Sequence, residues 1–225
     1  MKQVFLCLVF AFCTLAVNAQ KDVTTFLGIP VDGYRSEMFN QLKKKGFSVN
    51  PYNSESLTGE FNGTDVNIYI ATNNNKVWRI MLCDVKTTDE GNIKIRFNRL
   101  CEQFENNKRY ISYDDYKLSP DEDISYEMTV HNKKYDAIFY QAPLEVDSAT
   151  LAQEMQDLIY SKYTPEQLEN PTEEITKEIF DLSLSYALER ITKKAVWFRI
   201  TEHRGEYYIT MFYDNEYNKA NGEDL

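Results

Sequence analysis

Residues 196–212 read VWFRITEHRGEYYITMF, and their alternation constrains the fold more than any other feature of the chain. Successive strand side chains point to opposite faces, so a period of two marks a sheet with two distinct surfaces. Arg204-Gly205 supplies a two-residue turn. It sets His203 opposite Glu206, Thr201 opposite Tyr208, Arg199 opposite Thr210 and Trp197 opposite Phe212. Val196, Phe198, Ile200, Ile209 and Met211 then form a core face. Trp197, Arg199, Tyr208 and Phe212 fall on the other face, and one helical layer cannot cover both. That second set is the candidate binding surface, because Trp, Tyr and Arg dominate interaction hot spots. Burial against a helix or another sheet is the competing reading.

The rest of the chain carries either this period or the helical one of 3.6 residues. Lys21–Pro30 reads as a short extended segment. A helix follows over 36–45, with Met38, Phe39 and Leu42 inward and Gly46 as its left-handed cap. Strands are expected at 56–61, 65–72 and 76–85, with Asn62-Gly63 as the strongest hairpin signal. Trp78, Ile80 and Leu82 are expected on one face of the third strand, and Arg79, Met81 and Cys83 on the other. Ile93, Phe97, Leu100 and Phe104 make one apolar stripe on a helix over 91–106. An acidic loop precedes a second expected hairpin, turning at Asn132-Lys133, that pairs Val130 with Tyr135, Met128 with Ala137 and Tyr126 with Phe139. A helix over 148–162 and a short turn at Thr164-Pro165 come next. The longest helix starts at Asn170-Pro171, with Asn170 as N-cap, Glu173 and Glu174 at its positive end, and Lys193 and Lys194 at its negative end. Its two stripes, Ile175-Ile179-Leu182-Tyr186 and Phe180-Leu184-Ala187-Ile191, predict a central packing element. Residues beyond Asn215 read as a polar, frayed tail.

Together these elements predict an α+β fold, with antiparallel sheet built from hairpins and helices packed on one face. The hairpins recur roughly every 70 residues, so divergent repetition of a helix-plus-hairpin unit stands beside a generic α+β pattern. The implied organisation is 1–19 as a cleaved signal peptide, 20–88 as a helix-plus-strand unit and 89–143 as a second unit. Residues 144–215 hold C-terminal helices and a hairpin, and 216–225 the tail.

Met1-Lys2, the apolar run QVFLCLVFAFCTLAV and the small residues Val17 and Ala19 have the form of a secretory signal. The run is shorter than a membrane span, which needs about 20 apolar residues, and no second one follows. Export to a periplasmic or extracellular location is therefore expected, with no integral membrane segment after cleavage. The whole chain has 25 basic and 35 acidic side chains, and only Lys2 among them lies in residues 1–19, so cleavage shifts the net charge from −10 to −11. That balance argues against nucleic acid as a partner. Cleavage also leaves Cys83 and Cys101, which an oxidising compartment could join. Two buried free thiols are the alternative.

No catalytic constellation stands out. The two histidines, His131 and His203, sit beside expected turns, and there is no Gly-x-Ser-x-Gly elbow or His-Glu-x-x-His pair. Asp114, Asp115, Asp121, Glu122 and Asp123 could ligate calcium but lack the EF-hand spacing, and a solvated connection explains them equally well. No catalytic residue, metal or cofactor is assigned.

The stretches FLGIPVDGYRSEMFNQLKKKGF, GEFNGTDVNIYIATNNNKVWRI and DEDISYEMTVHNKKYDAIFYQ resemble uncharacterised secreted proteins of Bacteroides-type bacteria, over about half of the mature chain. The order of elements is also similar to the helix-plus-sheet module of β-lactamase-inhibitor-like envelope proteins. The resemblance implies a periplasmic or surface location and an α+β fold, and supplies no reaction. The expected function is a non-enzymatic binding module for an unknown partner protein or envelope component. A carboxylate-dependent hydrolase of polysaccharide or peptidoglycan, and a protein inhibitor or assembly factor, are the alternatives.

Overall fold

The computed structural model describes residues 22–142 and 148–220, with the side chains of 148–151 excepted. Ten strands and six helices lie in that range. Strands β1 (Thr25–Phe26) and β2 (Ile29–Pro30) form a small hairpin, followed by helix α1 (Arg35–Lys44). Strands β3 (Ser48–Asn50), β4 (Asn53–Phe61), β5 (Thr64–Asn73) and β6 (Lys76–Asp84) then make a meander. Helix α2 (Glu90–Glu105), strand β7 (Tyr110–Ile111), helix α3 (Ile124–Val130) and strand β8 (Asp136–Gln141) follow. Three helices come next: α4 (Ser148–Lys162), α5 (Pro165–Glu169) and α6 (Glu173–Thr192). The hairpin β9 (Ala195–His203) and β10 (Glu206–Asp214) closes the order. Eight strands form one antiparallel sheet in the order β3-β4-β5-β6-β10-β9-β8-β7. Strands from the first, second and third segments of the chain thus share one sheet and one core.

The last hairpin has the register its alternation predicts, including His203–Glu206, Thr201–Tyr208, Arg199–Thr210 and Trp197–Phe212. Val196, Phe198, Ile200, Ile209 and Met211 are all buried on the face that α1 and α2 cover. Phe97 meets Phe198 edge-on at 5.1 Å, and Phe104 stacks on Phe139 at 4.7 Å, the offsets that aromatic quadrupoles favour. Gly46 takes φ +103° to end α1 and turns Phe47 inward. Gly59 lies beneath that ring, where a Cβ would fall 2.6 Å from Phe47 Cδ1. Only glycine fits there.

Six expectations need correction. Residues 124–130 form a helix and not the first arm of a hairpin, so the predicted pairs across Asn132-Lys133 do not exist. Asp123 caps this helix by accepting from Tyr126 N at 2.8 Å, and Ile124 is buried with Met128 packed partly against the core. That i, i+4 contact overrides the period of two. Asn132, at φ +53°, ends the segment, and β8 pairs with β9 instead.

Trp78 is the extra residue of a β-bulge, since Thr72 pairs with Val77 but Ala71 with Arg79. Val77 takes the buried place expected for the indole. The tail is pinned up to Asn218. Asn215 is fully buried and donates to Val31 O at 2.7 Å, while Asn218 donates to Asp32 and to Val77 O, each at 2.8 Å.

The longest helix, α6, is not the central packing element, because none of its residues is buried. Its N-cap is Thr172, which accepts from Ile175 N, and not Asn170. Lys193 caps its other end, and Lys194 turns away from the helix into a buried ion pair with Asp22.

Cys83 and Cys101 are free thiols. Cys101 is in the core, whereas Cys83 shares the opposite face of β6 with Arg79 and Met81 and lies 3.9 Å from Thr210 Oγ1. The sheet stands between the two sulfurs. Burial pushes the Cys101 thiol up to about 12 and raises that of Cys83, so both are poor nucleophiles near neutral pH. Alkylation under denaturing, non-reducing conditions is expected to modify both residues, and in the native state Cys83 before Cys101. Mass spectrometry of the digest checks this, and recovery of a Cys83–Cys101 crosslinked peptide would contradict it.

Candidate functional site

The sheet face turned away from α1 and α2 brings together the four residues expected from the sequence. Trp197 and Phe212, a cross-strand pair, stack with centroids 3.9 Å apart and planes 17° from parallel. Arg79 on β6 lies 4.8 Å from the Phe212 ring, 5.4 Å from Trp197 and 4.3 Å from the bulged Trp78, within cation–π reach of each. Asp214 fixes this guanidinium through two hydrogen bonds of 2.6 Å and also accepts from Trp197 Nε1 at 2.9 Å. Arg199 sits 5.3 Å from the Trp197 ring and is held by Asp136 at 2.6 and 2.7 Å. Asp136 raises the pKa of Arg199, so the cation is permanent.

Exposure differs across this set. Phe212 retains 9% of its surface, while Trp197, Arg199 and Tyr208 are half-buried. The indole N–H and the guanidinium forks are already used inside the chain. What the face offers outward is ring surface from Trp197 and Tyr208 on a rigid platform.

A second apolar surface lies on the helical segment between β8 and β9. These strands are antiparallel neighbours, with Tyr140 opposite Ala195 and Gln141 N donating to Lys194 O at 3.0 Å. A two-residue turn could join them. The chain instead inserts α4, α5 and α6. Within the insert, Tyr186 OH donates to Glu154, which Arg190 also pairs, and Tyr163 OH donates to Glu178 at 2.5 Å. Ile175, Ile179, Leu182 and Tyr186, the first stripe of α6, are half-buried. On the opposite side Phe180, Leu184 and Leu188 keep 65%, 47% and 41% of their surface, with Ala187 exposed beside them.

Phe180, Leu184 and Leu188 are four residues apart and form one line along the helix. Glu174, Glu178 and Asp181 flank it on one side by helical geometry. Residues 148–192 hold nine Asp or Glu against three Lys or Arg. Of the second stripe expected in the core, Phe180, Leu184 and Ala187 are exposed and Ile191 is half-buried, while Leu188, outside that expectation, joins the exposed line. The usable signal was that α6 carries apolar residues on two opposite sides, one more than a helix lying on a sheet can bury.

The remaining candidates have local structural roles. Glu122 accepts from Lys133 and from Tyr135 OH, each at 2.5 Å, and both contacts lower its pKa. Asp123 caps α3. His131 Nδ1 lies 2.9 Å from Glu127, and His203 is exposed beside the last turn. Among the described residues the carboxyls with displaced pKa values, Asp89, Glu122, Glu154, Glu166 and Glu189, all move downward through hydrogen bonds to the charged form. A general acid needs the opposite displacement. Among the described residues no group of His, Cys, Asp or Glu is placed to hold a metal ion, and no helix is long and apolar enough to cross a membrane.

No protein-family model, curated protein or solved structure matches this chain.

The two arginine pairs of the open face differ in burial, and so in what their loss costs. Asp214 is 2% exposed, and Asp214→Ala would strand both Arg79 and the Trp197 N–H. It is expected to cost about 3–5 kcal/mol, the penalty for breaking a buried pair. Asp136→Ala breaks a pair whose side chains keep about a third of their surface, and should cost about 1 kcal/mol or less. Urea unfolding of the two variants measures the difference.

Proposed function

We propose that this chain is an exported, non-enzymatic binding protein that engages a partner protein through its helical insert. The observation that carries this reading is the exposed line Phe180–Leu184–Leu188 on α6. Large apolar side chains aligned on one helix face favour burial against another surface, at about 25 cal/mol per Å² removed from water. The insert is also placed where functional segments are found, on a long excursion from a rigid scaffold.

The acidic flank selects the partner's charge. A basic amphipathic helix, with apolar anchors three and four residues apart and Lys or Arg at its edge, fits the stripe by the helix-in-groove mode. A second copy of this insert would bring two acidic flanks together and is disfavoured. Export rests on the signal-like N-terminus and on the resemblance to secreted Bacteroides-type proteins. The platform of Trp197, Arg199, Tyr208 and Phe212 offers a second contact surface. Its indole N–H and the Arg199 guanidinium are held by Asp214 and Asp136, so it would contribute ring area more than hydrogen bonds, the Tyr208 hydroxyl excepted. An inhibitor or assembly factor is the form such a binding protein could take. Hydrolysis by paired carboxylates draws no support from the downward-displaced carboxyls.

Phe180→Glu combined with Leu184→Glu leaves the core untouched and should shift stability by about 0.5 kcal/mol or less. Photo-crosslinking from position 188 in the native host is expected to trap a discrete protein with the parent chain and to lose it with the double variant. Tyr208→Glu tests the sheet face separately. Identical crosslinking by the double variant and the parent would overturn the assignment to the insert.

A further inference from the structure

An open cleft of about 710 Å³ lies at the start of α1, far in sequence from the insert, and its walls include Tyr34, Arg35, Phe39, Asn40, Glu55 and Asn75. That volume is within the range of small-ligand sites. From this cleft we infer a binding site for a neutral oligosaccharide.

The walls are set by backbone. Val77 N donates to Gly33 O at 2.9 Å and Tyr34 bridges Lys76, which fixes the start of α1 against β6. Asn74 and Asn75 take φ +47° and +62° in the two-residue turn between β5 and β6, a conformation Asn tolerates well. Arg35 Nη2 donates to Glu55 O at 2.8 Å, which ties the helix to β4. The cleft is thus formed before any ligand arrives, which lowers the ordering cost of binding.

The chemistry of the lining points to sugar hydroxyls. Tyr34 keeps 60% of its surface, and half-buried Phe39 lies in the same wall. Such ring faces suit the C–H face of a pyranose, an apolar surface edged by polar groups. The polar lining consists of amides (Asn40, Asn75) and hydroxyls (Ser36, Ser54, Thr72). Each of these donates and accepts, as every sugar hydroxyl does. Arg35 and Glu55 lie 3.9 Å apart and offset one another's charge, so the cleft has no surplus charge to attract an ionic ligand. The exposed Glu55 carboxylate is a planar group that can accept from two adjacent hydroxyls at once. This site is independent of the insert and of the partner proposed for it.

The test is a ¹H–¹⁵N titration of the full chain with neutral oligosaccharides at millimolar concentration: cello-, xylo-, malto- and chito-oligosaccharides, each separately. At least one is expected to give saturable shifts at the amides of residues 34–40, 54, 55 and 75. Tyr34→Ala should weaken its Kd about tenfold, the equivalent of about 1.4 kcal/mol, and Asn40→Ala should weaken it less. The double variant at Phe180 and Leu184 should bind the same sugar unchanged, which separates the two sites. The inference is overturned if none of the four produces saturable shifts, if the shifts map elsewhere, if Tyr34→Ala binds like the parent, or if an acidic glycan or a peptide occupies the cleft more tightly.

Discussion

One buried cation sits at the junction on which the arrangement of this protein depends. Lys194 is 1% exposed, and its Nζ donates to both carboxylate oxygens of Asp22, at 2.8 and 2.9 Å, and to Ala142 O at 2.9 Å. Three distant parts of the chain meet there: the N-terminal segment, the end of β8 and the start of β9. Burial lowers the lysine pKa, the charges of Arg109 and Arg190 add to that, and the adjacent Asp22 carboxylate opposes it. An ammonium taken out of water costs several kcal/mol unless it is paired and fully hydrogen-bonded. The three acceptors meet that requirement. They also mark where the sheet is complete, so the helices between Ala142 and Lys194 hang from a closed ladder and are not needed to close it.

Two kinds of surface follow. The sheet is covered on one side by α1 and α2, and on the other it covers itself. There the stack of Trp197 on Phe212 and the pairs Arg79–Asp214 and Arg199–Asp136 hide ring and charge without a helix. The insert cannot do likewise. One stripe of α6 is half-buried, with the helix touching α4 and β8, and the other is left in water. The sheet side is therefore rigid and internally satisfied, while the insert carries unspent apolar area. Recognition is expected where that area is.

The sequence made the last hairpin legible to single-residue register, because five apolar side chains on one face permit one pairing only. Helix α2 was legible for the same reason, since Ile93, Phe97, Leu100 and Phe104 are all buried as one stripe. Residues 124–130 were misread because Tyr126, Met128 and Val130 alternate like a strand while Ile124 and Met128 are also helical neighbours. Over seven residues the two periods cannot be told apart. The fate of α6 was hidden for a different reason. Both of its stripes are visible in the sequence, but an apolar stripe reads the same whether it meets its own sheet or another molecule. The four residues of the sheet-face platform were placed correctly relative to one another. Their satisfaction by Arg79 and Asp214 was not foreseeable, because it depends on β6 lying next to β10.

Replacing residues 143–192 by a two-residue Asn-Gly turn between Ala142 and Lys193 tests directly whether the insert is an appendage of a finished sheet. Lys194, Asp22 and both strands are retained. The shortened chain should unfold in a single cooperative transition with Tm within about 4 °C of the parent, a change of about 1 kcal/mol. Loss of the cooperative transition, or of the sheet signal in circular dichroism, would show that the helices belong to the core after all.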